Sequence, residues 1–354
     1  MKAHRSLLPL LLAFVLVLLA ACGGQSQPAA PAAEPTAAPA AAEEPTAAPA
    51  AAEEPAAEEE TPDVSTVGSG STKIVWWHIS TAEDQRENWQ NLANQFVEQN
   101  PHVSIEITVL ENEAFKSKLA TAMQSGNPPD VFQSWGGGVL KQYADAGLVQ
   151  DLTPALQENG WGASFQPGPL SMYTFDGKTY GVPWNAGMIG FWYNKDLFAQ
   201  AGIERTPETW TEFLDAVKKL KEAGITPLAL GERDKWPGHF YWVYLAMRIG
   251  GQEAFLKAYT REGSFADETY VEAGRRLKEL VDLDPFQNGF LGAGYGDQQA
   301  VMANAQAAME LMGHWAPGAN RGAAEDVDAY NKSLGWFPFP AVEGGVGDLS
   351  DALG

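Results

Sequence analysis

The chain has 354 residues, of which 45 are Asp or Glu and 23 are Lys or Arg, giving a formal net charge of −22. That length allows two domains with real cores, and a hydrophobic share of 45% is ordinary for a globular protein. The acidic balance argues against nucleic acid as a partner, since that needs a basic footprint. A single cysteine excludes an intramolecular disulfide and a zinc site built from cysteines.

Lys2 and Arg5 precede an apolar run from Leu7 to Ala21 that carries no charge. The run is too short and wrongly flanked for a membrane span, which needs about 20 apolar residues, so residues 1–21 are expected to be an export signal. It ends in Leu19-Ala20-Ala21-Cys22, which resembles a bacterial lipobox. The resemblance implies that Cys22 carries diacylglycerol and becomes the mature N-terminus. That would anchor the protein to the outer face of the cell membrane, in the periplasm where the cell has an outer membrane. A plain secretory signal that happens to carry a cysteine is the competing possibility. Residues 22–72 are expected to be a disordered Ala/Pro/Glu linker. The decapeptide Pro-Thr-Ala-Ala-Pro-Ala-Ala-Ala-Glu-Glu occurs at 35–44 and again at 45–54, and residues 23–72 hold no aromatic or basic side chain. Such a stretch buries too little apolar area to offset its ordering entropy.

From Lys73 on, the pattern becomes globular. Lys73–Ile79 reads as a buried strand. A helix follows, opened by a capping box at Ser80/Glu83 or Thr81/Asp84, with an apolar stripe of Trp89, Leu92 and Phe96, and Asn100-Pro101 stops it. Val103–Leu110 alternates as a strand. The next helix places Phe115, Leu119, Ala122 and Met123 on one face, and Asp130–Trp135 is a third strand. This β-α-β-α-β order predicts a mostly parallel sheet covered by helices. Phe175-Asp176-Gly177-Lys178 is a hairpin signal. Beyond it, Met188–Tyr193 reads as a strand, and Thr209/Glu212 caps a helix with Trp210, Phe213, Leu214, Val217 and Leu220 inward. Pro227–Leu230 is a short strand, helices are expected near 238–249, 252–259 and 269–283, and Ala307–Met312 and Leu334–Phe339 are further strands. Two α/β lobes account for this order better than one.

Twelve tryptophans lie between Trp76 and Trp336. Helix stripes explain Trp89, Trp210 and Trp242 as core. Trp135, Trp184, Trp236 and Trp315 instead sit at strand ends or in Gly/Pro-rich loops. Ligands of open α/β sheets bind beyond the carboxyl ends of strands. There an indole face suits the C–H face of a sugar ring, while Asp, Asn and His bond its hydroxyls. His78, at the end of the first strand, and Asp234 are further candidates. Each of these four indoles could instead serve only to pack its loop, and Asp234 could be merely solvated. No phosphate loop, Gly-x-Ser-x-Gly elbow or His-Glu-x-x-His occurs, and neither cofactor nor metal is expected. Glu310 is the acid to suspect if the chain is a secreted glycoside hydrolase with two distant carboxylates. On a strand beside a cleft it could equally bond a ligand.

Five stretches occur in order: 129–135 (PDVFQSW), 177–183 (GKTYGVP), 193–198 (YNKDLF), 207–210 (PETW) and 307–315 (AAMELMGHW). Together they resemble the extracellular solute-binding proteins of sugar ABC importers, the family containing maltose-binding protein, and within it the branch taking raffinose, xylo- or other oligosaccharides. The resemblance covers 73–345. It implies an α/β, two-lobed periplasmic-binding-protein-like fold that closes on its ligand like a trap, with hinge strands near 182–187 and 334–340. It further implies a first lobe from 73 to 183, a second from 184 to 333, and a return to the first over 334–354. Trp135 matches the family's first-lobe aromatic and Trp315 its second-lobe stacking Trp. Trp184, Asn185, Asp234 and Trp236 fall at the hinge or cleft edge. The function implied is reversible binding of a carbohydrate, an oligosaccharide by preference, by a non-catalytic monomer that delivers it to the ABC permease. The same scaffold for a non-sugar solute is the alternative. Family members continue well past Gly344-Gly345, so a truncated chain with an incomplete return is expected.

Overall fold

The computed structural model describes residues 63–353. The expected signal, Cys22 and most of the expected linker lie outside those residues. Two cores are built in succession along the chain.

The first half carries a four-stranded sheet in the order β1-β3-β2-β4. Its strands are β1 (Asp63–Val67), β2 (Thr72–His78), β3 (Val103–Val109) and β4 (Val131–Phe132). β2 pairs in parallel with β3 and β4, as the element order predicts, while β1 adds antiparallel to the far edge of β3. β1 corrects the expected linker, which was to run through residue 72. The segment Gly68-Ser69-Gly70-Ser71 is a tight crossover around the start of β3, where a Cβ on Gly68 would lie 2.8 Å from the Val103 carbonyl oxygen. Only glycine permits that approach of two backbones, and Gly68 also sits at φ 78°.

Helices α1 (Glu83–Gln99) and α2 (Asn112–Gln124) connect these strands. Neither expected capping box forms on α1: Ala82 is its N-cap, without a side-chain bond, and Ser80 instead accepts from Trp89 Nε1 at 3.0 Å. The stripe also differs. Ala93 is buried and Val97 packs against the first core, whereas Leu92 and Phe96 are exposed. Trp89 heads both stripes, and the i+4, i+8 ridge faces the sheet because small Ala93 lets the helix lie close. α2 matches its pattern, with Phe115, Leu119 and Met123 buried around Leu110. β4 ends after two residues instead of reaching Trp135. Beyond it the chain turns, and α3 (Gly137–Asp145), α4 (Thr153–Gln157) and α5 (Pro167–Ser171) follow. β5 (Thr174–Phe175) and β6 (Lys178–Thr179) form the expected hairpin, with Asp176 and Gly177 both at positive φ as a type I′ turn requires.

Residues 181–188 contain no helix or strand and lead to the second core. There β7 (Ile189–Asn194) is the centre of a three-stranded sheet. α6 (Lys195–Gln200) follows it directly. α7 (Trp210–Glu222) starts at Thr209, whose hydroxyl accepts from Glu212 N, and buries Trp210, Phe213, Val217 and Leu220 as the pattern predicts. The helices expected at 238–249 and 252–259 form as the two helical stretches of α8 (Trp236–Thr260), which Gly251 at φ 68° separates. α9 (Glu268–Val281), α10 (Tyr295–Ala303), β8 (Met309–Gly313), α11 (Ala316–Ala323), α12 (Val327–Ser333) and β9 (Leu334–Phe337) complete the order. β8 and β9 flank β7, both antiparallel to it.

The segment after β9 was expected to return to the first lobe. Instead Phe339, Val342 and Leu353 pack on the second core, and Ile189 N donates to Leu353 O. Arg248, almost wholly buried on α8, fixes this placement. Its guanidinium donates to the carbonyls of Phe339, Asp348, Leu349 and Asp351, at 2.8 Å for Asp348 and Asp351. Arg248→Met should therefore cost about 3–5 kcal/mol by stranding these carbonyls, and Arg248→Lys should rescue little because an ammonium cannot span them. Urea unfolding of the two variants checks this.

Candidate functional site

The parallel strands β2, β3 and β4 all end on one side of their sheet, and the loops leaving that edge carry the first candidates. β4 is pinned by Asp130, whose carboxylate accepts from Val75 N at 2.8 Å. The chain then turns sharply through Ser134–Gly137. Met172 O accepts from Gly137 N at 2.8 Å and Tyr173 Oη donates to Ser134 O at 3.2 Å. The turn leaves Trp135 49% exposed, with its ring T-shaped to buried Phe115 at 5.9 Å. Lys116 Nζ lies 5.4 Å from the Trp135 ring centre.

In the second half, Trp236 opens α8, with Pro237 beside it and Lys235 before it at φ 66°. Asp234 is not a free carboxylate. It accepts from Tyr295 N at 2.7 Å and from Arg233 Nε at 3.3 Å, which ties the start of α10 to this turn. Tyr295 in turn holds Trp236, T-shaped at 4.8 Å, with Phe240 at 5.7 Å. Trp236 Nε1 is buried without a hydrogen-bond partner. The same Lys116 Nζ is 5.7 Å from the Trp236 ring, so the two halves present Trp135 and Trp236 to one ammonium.

A second group forms around residues 181–188. Trp184 is 49% exposed and T-shaped to Trp89 at 5.0 Å, and Trp89 stands likewise to Trp76 at 5.3 Å. Exposed Asn185 approaches His314 Nε2 through Nδ2 at 3.4 Å. The His314 ring covers Gly187 so closely that a Cβ there would collide with it. Trp315 is partly buried, its indole seated over Gly313, and lies 5.5 Å from the His314 ring.

His78 and Glu310 are placed differently from the indoles. His78 is buried among Trp76 and Trp89, its Nδ1 accepts from Ser80 N at 3.2 Å, and burial together with nearby Arg86 lowers its pKa to about 4. It is a neutral packed histidine with little surface to offer. Glu310 is wholly buried on β8, accepting from Gln298 Nε2 at 2.9 Å and Asn320 Nδ2 at 2.6 Å. Both of its oxygens are engaged.

Lys116 escapes sequence reasoning because a helix lysine is ordinarily solvated, and only the tertiary fold sets two indoles around it. His314 stands within the 307–315 stretch, yet its contact with Asn185, 129 residues away, leaves no local trace.

Burial pushes the Glu310 carboxyl up to about 7 from 4.5, and the two amide donors only partly oppose this. Between those values the folded state binds a proton that the unfolded state has released, so stability must fall as pH rises through this window. Glu310→Gln should remove that component. Its stability relative to the parent should grow from pH 4.5 to 7 by up to about 1.4 kcal/mol per pH unit, as read by urea unfolding across pH.

The sequence model for bacterial extracellular solute-binding proteins matches residues 82–354. An uncharacterized ABC transporter extracellular-binding protein of Pyrococcus horikoshii is 29% identical over 269 residues, covering 74% of this chain and 57% of the relative. The chain spans 57 to 65% of the length of the first curated relatives it matches. One similar solved structure comes from work on xylan utilization by Caldanaerobius polysaccharolyticus. Its TM-score is 0.74 at 30% identity, covering 79% of this chain and 71% of that one. A chitin oligosaccharide binding protein has a TM-score of 0.69 at 31% identity, covering 77% and 68%. The two cores thus follow the two-lobed α/β architecture of periplasmic solute-binding proteins, and the chain belongs to the bacterial extracellular solute-binding protein family.

Proposed function

We propose that this protein is the solute-binding component of an ABC importer, and that it binds a carbohydrate, an oligosaccharide by preference, reversibly between its two halves for delivery to the permease. The observation that carries this reading is the pair Trp135 and Trp236, drawn from different halves and facing one ammonium. Trp184 and Trp315, near Asn185 and His314, extend the aromatic surface with groups able to bond hydroxyls. Indoles offer sugar rings apolar faces, and polar neighbours order the hydroxyls. The xylan and chitin associations of the similar structures point the same way. Ligand binding would favour closure through contacts made only when both halves meet the sugar.

Asp234 acts in this reading by orienting Trp236 through Tyr295, and Glu310 by bracing α10 and α11 from inside. Hydrolysis is disfavoured because Glu310 is enclosed with both oxygens engaged, which leaves it no path to a glycosidic oxygen. A phosphorylated solute is disfavoured because the Glu113 carboxylate, 2.7 Å from Lys116 Nζ, neutralises the one ammonium at the two indoles and would repel a phosphate beside it. Titration calorimetry against xylo- and chito-oligosaccharides and raffinose tests the reading. Trp135→Ala and Trp315→Ala should each weaken a bound sugar about tenfold, the equivalent of one aromatic contact. A folded protein that no sugar touches would reject the carbohydrate assignment.

As a member of an extracellular family the protein is exported. We infer further that Cys22 carries the lipid that tethers it. Cys22→Ser should then shift the protein from the membrane fraction to the soluble fraction, as judged by fractionation and immunoblot. Retention of the variant in the membrane would remove the anchor.

A further inference from the structure

Lys116 stands on the first turns of α2, just beyond the carboxyl end of β3. Its ammonium is fixed from below. Glu113, one turn earlier, accepts from Nζ at 2.7 Å, and Glu113 itself is steadied by Asn112 Nδ2 at 2.8 Å. From that anchor Nζ reaches the Trp135 ring on its own side at 5.4 Å and the Trp236 ring of the other half at 5.7 Å. A cation within about 6 Å of an indole centre is attracted by the ring's negative face. One charge therefore touches aromatic platforms contributed by both cores. Trp236 cannot swing away by a local change, because the Asp234–Tyr295 bond and the Tyr295 ring set its position.

We propose that Lys116 is a positioning residue of the cleft: a latch that joins Trp135 to Trp236 across the two halves before any ligand arrives, and that an entering sugar has to part. The ammonium occupies the aromatic surroundings that a sugar ring would use for stacking. The same attraction that draws the halves together thus competes with the ligand for the indole faces. Parting needs no bond chemistry. The sugar takes the ring faces, and Nζ keeps Glu113 and gains hydroxyl oxygens as acceptors. The latch stands on contacts in the ligand-free protein, whereas its release by ligand rests on the carbohydrate reading.

Small-angle scattering of the full chain without ligand tests the latch, with Lys116→Met compared to the parent and to Lys116→Arg. Methionine keeps the apolar stem and removes the charge, and arginine keeps the charge. Lys116→Met should lower the ratio of closed to open molecules about two- to fivefold, the factor expected for losing one cation–indole contact between the halves. Arginine should restore it. Glu113→Gln, which removes the anchor and leaves the ammonium, should move the ratio in the same direction. Scattering curves that coincide for parent, Lys116→Met and Glu113→Gln would overturn the proposal. Stopped-flow tryptophan fluorescence with xylobiose and chitobiose tests release, for which Lys116→Met should raise the association rate by the same factor. A rate unchanged beside an altered scattering ratio would overturn release by ligand. Absence of binding by either sugar in every variant would count against the carbohydrate reading and leave the scattering result to judge the latch.

Discussion

An indole that is to offer its face to a ligand must have its orientation fixed elsewhere, since a large aromatic group free to rotate loses conformational entropy on every binding event. The proposed site meets this with perpendicular neighbours. Trp135 stands against Phe115, Trp236 against Tyr295 and Phe240, and Trp184 against Trp89, each pair T-shaped. Trp315 rests on Gly313, where any side chain would displace it. Phe115 is wholly buried in the first core, and Phe240 and Tyr295 pack with the second. The rigidity of the cores is thereby passed to the ring planes, and the exposed surface needs no long-range ordering of its own.

Buried polar side chains perform the complementary task of holding backbone segments. Arg248 gathers carbonyls from 339 to 351, Asp234 takes the first amide of α10, and Gln298 accepts from Gly231 N while donating to Glu310. Asn320 joins Glu310 to Tyr330. Each of these side chains pairs groups from different elements. Loss of any one member would leave a desolvated polar atom, which costs more than the bond itself contributes. Asp234 and Glu310, candidates for a ligand on sequence grounds, are here engaged by α10 and α11.

What was legible in the sequence was local. The Thr209/Glu212 cap, the Phe115-Leu119-Met123 face and the Asp176-Gly177 turn each depend on side chains within a few residues of one another, and each forms as expected. The choice between the Leu92/Phe96 and Ala93/Val97 stripes was not legible, because both have helical spacing and only the fit of α1 on the sheet decides. Of the candidate ligand residues, Trp135, Trp236 and Trp315 lie beside strand ends or helix starts, and Trp184 lies in the irregular segment 181–188. The enclosed placement of His78 and Glu310 and the engagement of Asp234 by α10 depend on neighbours far away in the chain: Tyr295 lies 61 residues from Asp234, and Glu310 is paired across the sheet with Trp192. Lys116 owes its surroundings wholly to the meeting of two halves.

The crossover of residues 68–71 around the start of β3 has a mechanical corollary. β1 runs antiparallel along β3 over five residue pairs, and Asp63 at its beginning is fastened to Arg86 of α1 by an ion pair at 2.5 Å. Tension applied to the chain ahead of Asp63 enters the domain at that point and acts along β1. A load directed along the strand shears the whole ladder at once instead of peeling it one bond at a time. The strand that meets the preceding chain is thus loaded in its stiff direction, and the glycine crossover, sheltered behind it, receives strain only after the ladder has failed.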